Sequence, residues 1–128
     1  MKLMVHNFLS SKFLKGVQTG FPMKLVATQT EVKSADFNAD FVRRMMPKID
    51  WAALKSAANV VEPASAAQLP DSLADNWQDD ETLLRTVHHL LMEIDVVEGH
   101  VECPESGRQF PIKNGIPNML AKDEEVDA

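Results

Sequence analysis

The sequence predicts a mixed α+β protein: a small antiparallel sheet built from N- and C-terminal segments, with a helical lobe inserted between them. Three observations lead there. Residues 23–33 and the stretch from Glu93 onward show near-alternating polarity and β-branched side chains, the pattern of half-buried strands. Between them, from about Asn38 to Met92, apolar residues recur at helical spacing behind side chains suited to capping. The 128 residues, 45% apolar and 25% charged, suffice for one globular domain with a modest core. Residues 1–37 plus 93–128 are assigned to a ribbon-like β lobe and 38–92 to the inserted helical lobe.

The elements follow in order. Met23 to Lys33, rich in Leu, Val and Thr, reads as a strand. Asn38 caps a helix from Ala39 to Met46, Phe37 and Val42 form its hydrophobic staple, and Pro47 stops it. Asp50 caps a second helix, Trp51 to Val61, with Trp51, Leu54, Ala58 and Val61 on one face. The Pro-, Ala-, Ser- and Asp-rich region Glu62 to Trp77 is a loop with at most one short helical turn. Asp79 or Asp80 starts a third helix whose stripe is Leu83, Leu84, Val87, Leu90, Leu91 and Ile94. Two strands follow, Glu93 to Val97 and Val101 to Cys103, with Glu98-Gly99 as the turn between them, and another runs from Gln109 to Ile112.

The end of the chain is the most informative stretch. Cys103 to Gly107 forms a knuckle-like turn. Phe110 and Ile112 then lead to a turn at Gly115 and a short apolar piece, Ile116 to Leu120. Such a ribbon has a last strand in need of a partner. The candidate interface is Phe110, Ile112, Ile116, Pro117, Asn118, Met119 and Leu120, with Phe8 and Leu9 close by. Pro117 has to lie where no strand-pairing N–H is needed, and Asn118 can donate or accept across the seam. The competing reading is that these side chains close the protein's own core.

These blocks carry a resemblance. Cys103 to Leu120 is similar to the C-terminal signature of the small eukaryotic activator subunit shared by several tRNA, ribosomal-RNA and release-factor methyltransferases. Met1 to Ser11, Gly20 to Leu25, Asp36 to Val42 and Leu84 to Met92 resemble that family's other blocks, in its order. The resemblance implies the same two-lobe layout and a non-catalytic subunit that activates and stabilises S-adenosylmethionine-dependent methyltransferases. It implies several alternative, mutually exclusive catalytic partners, each bound as a heterodimer. These act on tRNA, on small-subunit ribosomal RNA and on the Gly-Gly-Gln loop of a termination factor. Cytoplasm and nucleus are the locations it implies. Some relatives hold zinc with a Cys-x-x-Cys in this knuckle and a second Cys pair near the N-terminus. Here the second knuckle position is Ser106, and the N-terminal region offers Ser10 and Ser11 but no cysteine. A closed zinc site needs four Cys or His ligands, and Cys103 with His100 falls short of that set. The expectation is a zinc-ribbon-like lobe with its metal lost, held by turn hydrogen bonds and by packing of Phe110, Pro111 and Phe21.

Bulk properties narrow the classes. The net charge of −6 is unevenly placed: residues 1–60 balance at +5, residues 61–128 at −11. An acidic chain is a poor general phosphate binder, so RNA is expected only indirectly, through a complex, with the basic half nearest it. Lys12, Lys15, Lys24, Lys33, Arg43 and Arg44 carry that half; tyrosine is absent, and these residues read as not interleaved with stackable aromatics. The tail Asp123 to Asp127 reads as a solvated acidic end. No apolar run reaches the length of a membrane helix, no signal peptide is read at the start, and one cysteine rules out an internal disulfide.

Catalytic chemistry finds little to stand on. His88 and His89, adjacent on a helix, point about 100° apart and are poorly placed to chelate one metal. Cys103 as a nucleophile lacks an oxyanion-hole motif. No Gly-x-Gly-x-x-Gly, phosphate loop or Asn/Asp-Pro-Pro-Tyr segment is present, so no cofactor, neither nucleotide nor S-adenosylmethionine, is expected. Asp79-Asp80-Glu81 suits a helix's first turn, where acidic groups complement the dipole. The reading is a non-enzymatic partner subunit that binds by strand addition and apolar contacts; the alternative is a stand-alone RNA- or protein-binding ribbon.

Overall fold

A computed structural model describes residues 1–126. Asp127 of the acidic tail lies outside the described residues. The sheet is a four-stranded antiparallel meander in the order β1 (Lys24–Val32), β2 (Ile94–Glu102), β3 (Gln109–Lys113) and β4 (Ile116–Pro117). β1 and β2 pair from Lys24↔Glu102 to Val32↔Ile94. The pair β1 and β2 thus joins the two ends of the chain, with the helices between them, as the α+β reading requires. β3 and β4 are joined by Asn114-Gly115, both at positive φ (52° and 77°). That is the two-residue hairpin loop whose twist matches the flanking strands, and Asn-Gly is its preferred pair.

The start of the chain departs from expectation. It joins the sheet only through Met1 and Lys2, beside the half of β2 that β3 leaves free. The Met1 amino group donates to Asp95 Oδ1 (2.6 Å) and to the Val96 carbonyl (2.7 Å), and Lys2 bridges Asp95. A helix, α1 (Leu3–Phe8), follows where no element was expected. Leu3, His6 and Asn7, at helical spacing, turn inward. Asn7 fixes α1 on the next lobe by donating to the Asp50 carbonyl and accepting from the Asp50 N–H.

The helical part follows its caps. Asn38 accepts from the Phe41 N–H and starts α2 (Ala39–Met45). The α-helix stops at Met45, just short of Pro47 as expected and one residue earlier than the Met46 bound, and Met46–Lys48 tighten into a 3₁₀ turn. Asp50 accepts from the Ala53 N–H and starts α3 (Trp51–Val61). Its buried face is Ala53, Leu54, Ala57 and Ala58, with Trp51 and Val61 half-buried at its margin. A short α4 (Pro63–Ala66) and a 3₁₀ turn (Trp77–Asp79) interrupt the loop. Asp80 caps α5 (Glu81–His88), which widens into a π turn, His89–Glu93, and passes directly into β2. Ile94, expected to end the helical stripe, is therefore the first residue of β2, buried all the same. The wider turn keeps Leu90 and Leu91 fully buried while the chain changes period.

One expected turn is absent. Glu98-Gly99 lies inside a continuous β2, opposite a register shift in β1 between Ala27 and Gln29. Gly99 has φ 153°, and a Cβ there would run into the Val26 carbonyl oxygen. The glycine marks a bulge with close backbone approach rather than a reversal. The core is continuous, from Leu3 of α1 through Leu54 and Leu84 of the helices to Val96, Phe110 and Ile112 of the sheet.

Candidate partner-binding interface

The expected interface residues divide into two groups. Phe110 and Ile112 are 0% and 1% exposed, on the inward face of β3. This corrects their assignment: strand alternation points both into the chain's own core, which leaves them no side-chain surface for a partner. Ile116 and Leu120 are 68% and 80% exposed, and Phe8 on α1 is 55% exposed. Leu9 and Met119 are half-buried and pack on the core. The apolar strand expected over Ile116 to Leu120 is shorter than that: β4 holds only Ile116 and Pro117. The Asn118 N–H donates to the Pro111 carbonyl (2.9 Å), and its side-chain Oδ1 accepts from the Leu120 N–H (3.0 Å). Asn118 thus shapes the turn after β4 through its N–H and its side-chain oxygen. Pro117 sits in register with Ile112.

Val5, 41% exposed, joins Phe8 one turn apart on the outer face of α1 and was missed by sequence reasoning. A Cβ on Gly115 would lie 3.3 Å from the Met1 nitrogen, so the β3–β4 turn abuts the start of α1. The start of the chain and the β3–β4 turn therefore meet at one junction.

The knuckle is held without cysteine pairs. The Ser106 N–H donates to Cys103 Sγ (3.3 Å), the Gly107 N–H to the Cys103 carbonyl (3.0 Å) and the Cys103 N–H to the Arg108 carbonyl (2.8 Å). Burial pushes the Cys103 thiol up, but hydrogen bonds from Ser106, Ser11 and the backbone at Ser106 and Glu105 outweigh it and bring it down to about 7. Glu105 reaches back to the N-terminal loop. Its carboxylate accepts from the N–H groups of Gln18 (3.0 Å), Thr19 (2.9 Å) and Gly20 (2.7 Å) and from the Thr19 hydroxyl (3.2 Å). These backbone donors hold it at about 2. Among the described residues no cluster of three or more His, Cys, Asp or Glu is placed to hold a metal ion. The residues at the knuckle do not fit zinc: one thiol faces serine hydroxyls where further soft ligands are needed. The carboxylate of Glu105 makes the tie between loop and knuckle. Packing differs from expectation in two respects: the ring set against Phe110 is Phe13, at 5.8 Å between centroids, and Pro111 is exposed on the outward face of β3.

Arg108 organises the last residues. Its guanidinium lies 4.6 Å above the Phe110 ring and donates through Nε to Glu125 Oε1 (2.7 Å), through Nη1 to the Gln109 carbonyl and through Nη2 to the Leu120 carbonyl (3.5 Å). Glu125 belongs to α6 (Asp123–Val126), and its backbone oxygen accepts from the Lys15 N–H (2.6 Å). The Arg108 partner holds the Glu125 carboxyl below its ordinary value. Phe13, 40% exposed, stands between the exposed Lys12 and Lys15, so part of the basic set is interleaved with an aromatic after all.

The histidine pair separates, as adjacent helical positions must. His88 is buried and shares its Nε2 with the Ala35 carbonyl (3.0 Å). His89 is half-buried between Glu93 (Nδ1, 2.9 Å) and Glu62 (Nε2, 2.7 Å). Burial opposes its charge, but the two carboxylates prevail and raise its pKa.

With this geometry in view, comparisons with known proteins converge. A family model described as Trm112p-like protein matches residues 2–115. A mouse multifunctional methyltransferase subunit TRM112-like protein is 50% identical over 128 residues, covering 99% of each chain. The Arabidopsis thaliana multifunctional methyltransferase subunit TRM112 homolog B is 46% identical, covering 98% of this chain and 100% of its own. The Saccharomyces cerevisiae multifunctional methyltransferase subunit TRM112 is 30% identical, covering 94% and 96%. A chain in the solved E. cuniculi Mtq2–Trm112 complex, described as responsible for methylation of the termination factor eRF1, matches with TM-score 0.57. It covers 94% of this chain and 95% of that one at 21% identity, a likeness of fold.

Proposed function

The chain belongs to the Trm112p-like protein family, and from that premise we propose that it is a non-catalytic subunit which stabilises and activates S-adenosylmethionine-dependent methyltransferases. The observation that carries the reading is the pair Ile116 and Leu120, 68% and 80% exposed, the first in the edge strand β4 and the second just past its end. The two-residue edge offers little backbone to pair, so the uncovered apolar side chains carry the contact with a partner sheet, and the few main-chain bonds added there do not depend on the partner's side chains. One surface can then serve several catalytic subunits in mutually exclusive heterodimers. In this reading residues 1–37 with 93–128 form the docking lobe and 38–92 a helical insertion that braces it. The substrates are those of the partners: tRNA, small-subunit ribosomal RNA and a release factor, modified in cytoplasm and nucleus. Each apolar side chain sealed at the seam contributes roughly 1.5–3 kcal/mol. Co-expression tests the proposal. A methyltransferase that is insoluble or inactive alone becomes soluble and active with this chain; a catalytic subunit equally soluble and active without it refutes the activating role.

A further inference from the structure

The knuckle carries an anion seat that the subunit reading does not use. The Glu125 carboxylate lies in the fork of Arg108, 2.7 Å from Nε and 3.5 Å from Nη2, and also accepts from the Lys122 N–H at 2.7 Å. An arginine fork is the arrangement that receives phosphate oxygens as well as carboxylates, while the Lys122 amide belongs to the tail itself and leaves with it. The seat opens on a cleft of about 450 Å³ whose walls include Lys15, Ser106 and Gly107. Of the turn Lys12–Lys15, Leu14 and Lys15 line this cleft, and the exposed Lys12 and Phe13 precede them on the same turn, outside its walls. Phe13 and Arg108 both pack on the Phe110 ring, so they are fixed relative to one another (5.8 and 4.6 Å). Cations beside an exposed aromatic ring match single-stranded nucleic acid, in which phosphates pair with cations and bases stack; an acidic peptide makes no use of the ring. The occupant now in the seat comes from the chain's own acidic end, held among the described residues by the Glu125 side chain to Arg108 and by the Glu125 carbonyl to Lys15.

We propose that Arg108, Lys15 and Lys12, with Phe13 beside them, form a binding site for a phosphodiester of single-stranded nucleic acid, and that helix α6 is a tethered placeholder lifted when the strand enters. A free phosphate shares this chemistry but not the stacking on Phe13. The test titrates a short fluorescent oligouridylate into the full chain at several salt concentrations. Glu124→Gln with Glu125→Gln tightens binding, and the slope of log affinity against log salt steepens by about 0.7 for each phosphate newly contacted. Asp75→Asn with Asp79→Asn makes the same charge change away from the seat and leaves the slope as it was. Adding Arg108→Gln to the Glu124/Glu125 variant removes the gain, and Phe13→Ala weakens the oligonucleotide without altering competition by inorganic phosphate at matched ionic strength. The proposal is overturned if the Glu124/Glu125 variant gains nothing. It is also overturned if the Asp75/Asp79 variant gains equally, if Arg108→Gln leaves the gain intact, or if a glutamate-rich peptide binds the opened seat better than the oligonucleotide. The titration uses this chain alone, so its failure leaves the methyltransferase-subunit reading standing.

Discussion

Glu105 is a single residue whose side chain joins two segments 85 to 87 positions apart, gripping three successive amides of the N-terminal loop. Its folded pKa of about 2 lies below the unfolded value of about 4.3. The stability it contributes is therefore fully present above the unfolded value and is lost as pH falls through the folded one. Glu105→Gln should speed hydrogen exchange at Gln18, Thr19 and Gly20 and lower the melting temperature at neutral pH. The difference from wild type should vanish in acid, near pH 2; unchanged exchange at those amides would contradict the role. His89 has the opposite sign. Its folded pKa is raised by Glu93 and Glu62, so its contribution is present below the unfolded value of about 6.5 and fades as pH rises through the folded one. His89→Ala should cost more stability at pH 6 than at pH 8.5, measured by chemical denaturation; equal losses at both would refute the clamp. Neither contact was legible in the sequence. Glu105 reads as one more acidic surface residue, and its partners are backbone groups that only the fold brings within reach.

At the scale of elements, the caps were legible because they are local: Asn38, Asp50 and Asp80 each accept from an N–H three residues on. The β1 strand and the Gln109 strand followed from alternation for the same reason. Reading failed where tertiary contact overrides local signal. α1 has only six residues, too few for a clear period, and it exists because Leu3, His6 and Asn7 find α3 and the sheet. Glu98-Gly99 carries a turn signature, yet the long pairing of β2 with β1 draws it into a bulge. Gly99→Ala tests that account. It forces a side chain into a left-handed φ and against Val26, and the backbone conformation alone should cost roughly 1–3 kcal/mol. A variant of wild-type stability in urea would show that β1 and β2 can separate there without penalty.

Over the whole molecule, the sheet is assembled from both ends of the chain, and the ribbon end leaves its apolar side chains uncovered. The α+β layout was readable from where alternation and helical period change places along the sequence. The interface was readable only in part. Phe110 and Ile116 look alike as apolar residues of a strand, but the pleat sends one inward and leaves the other on the edge. Met119 is half-buried and braces the core, so the decisive variant leaves it alone and changes the two side chains that are mostly exposed. Affinity capture of a tagged Ile116→Asp, Leu120→Asp chain co-expressed with a methyltransferase tests the central claim. The account predicts a chain with wild-type circular dichroism and melting temperature that no longer retains its catalytic partner. Retention of the methyltransferase at wild-type levels would contradict it.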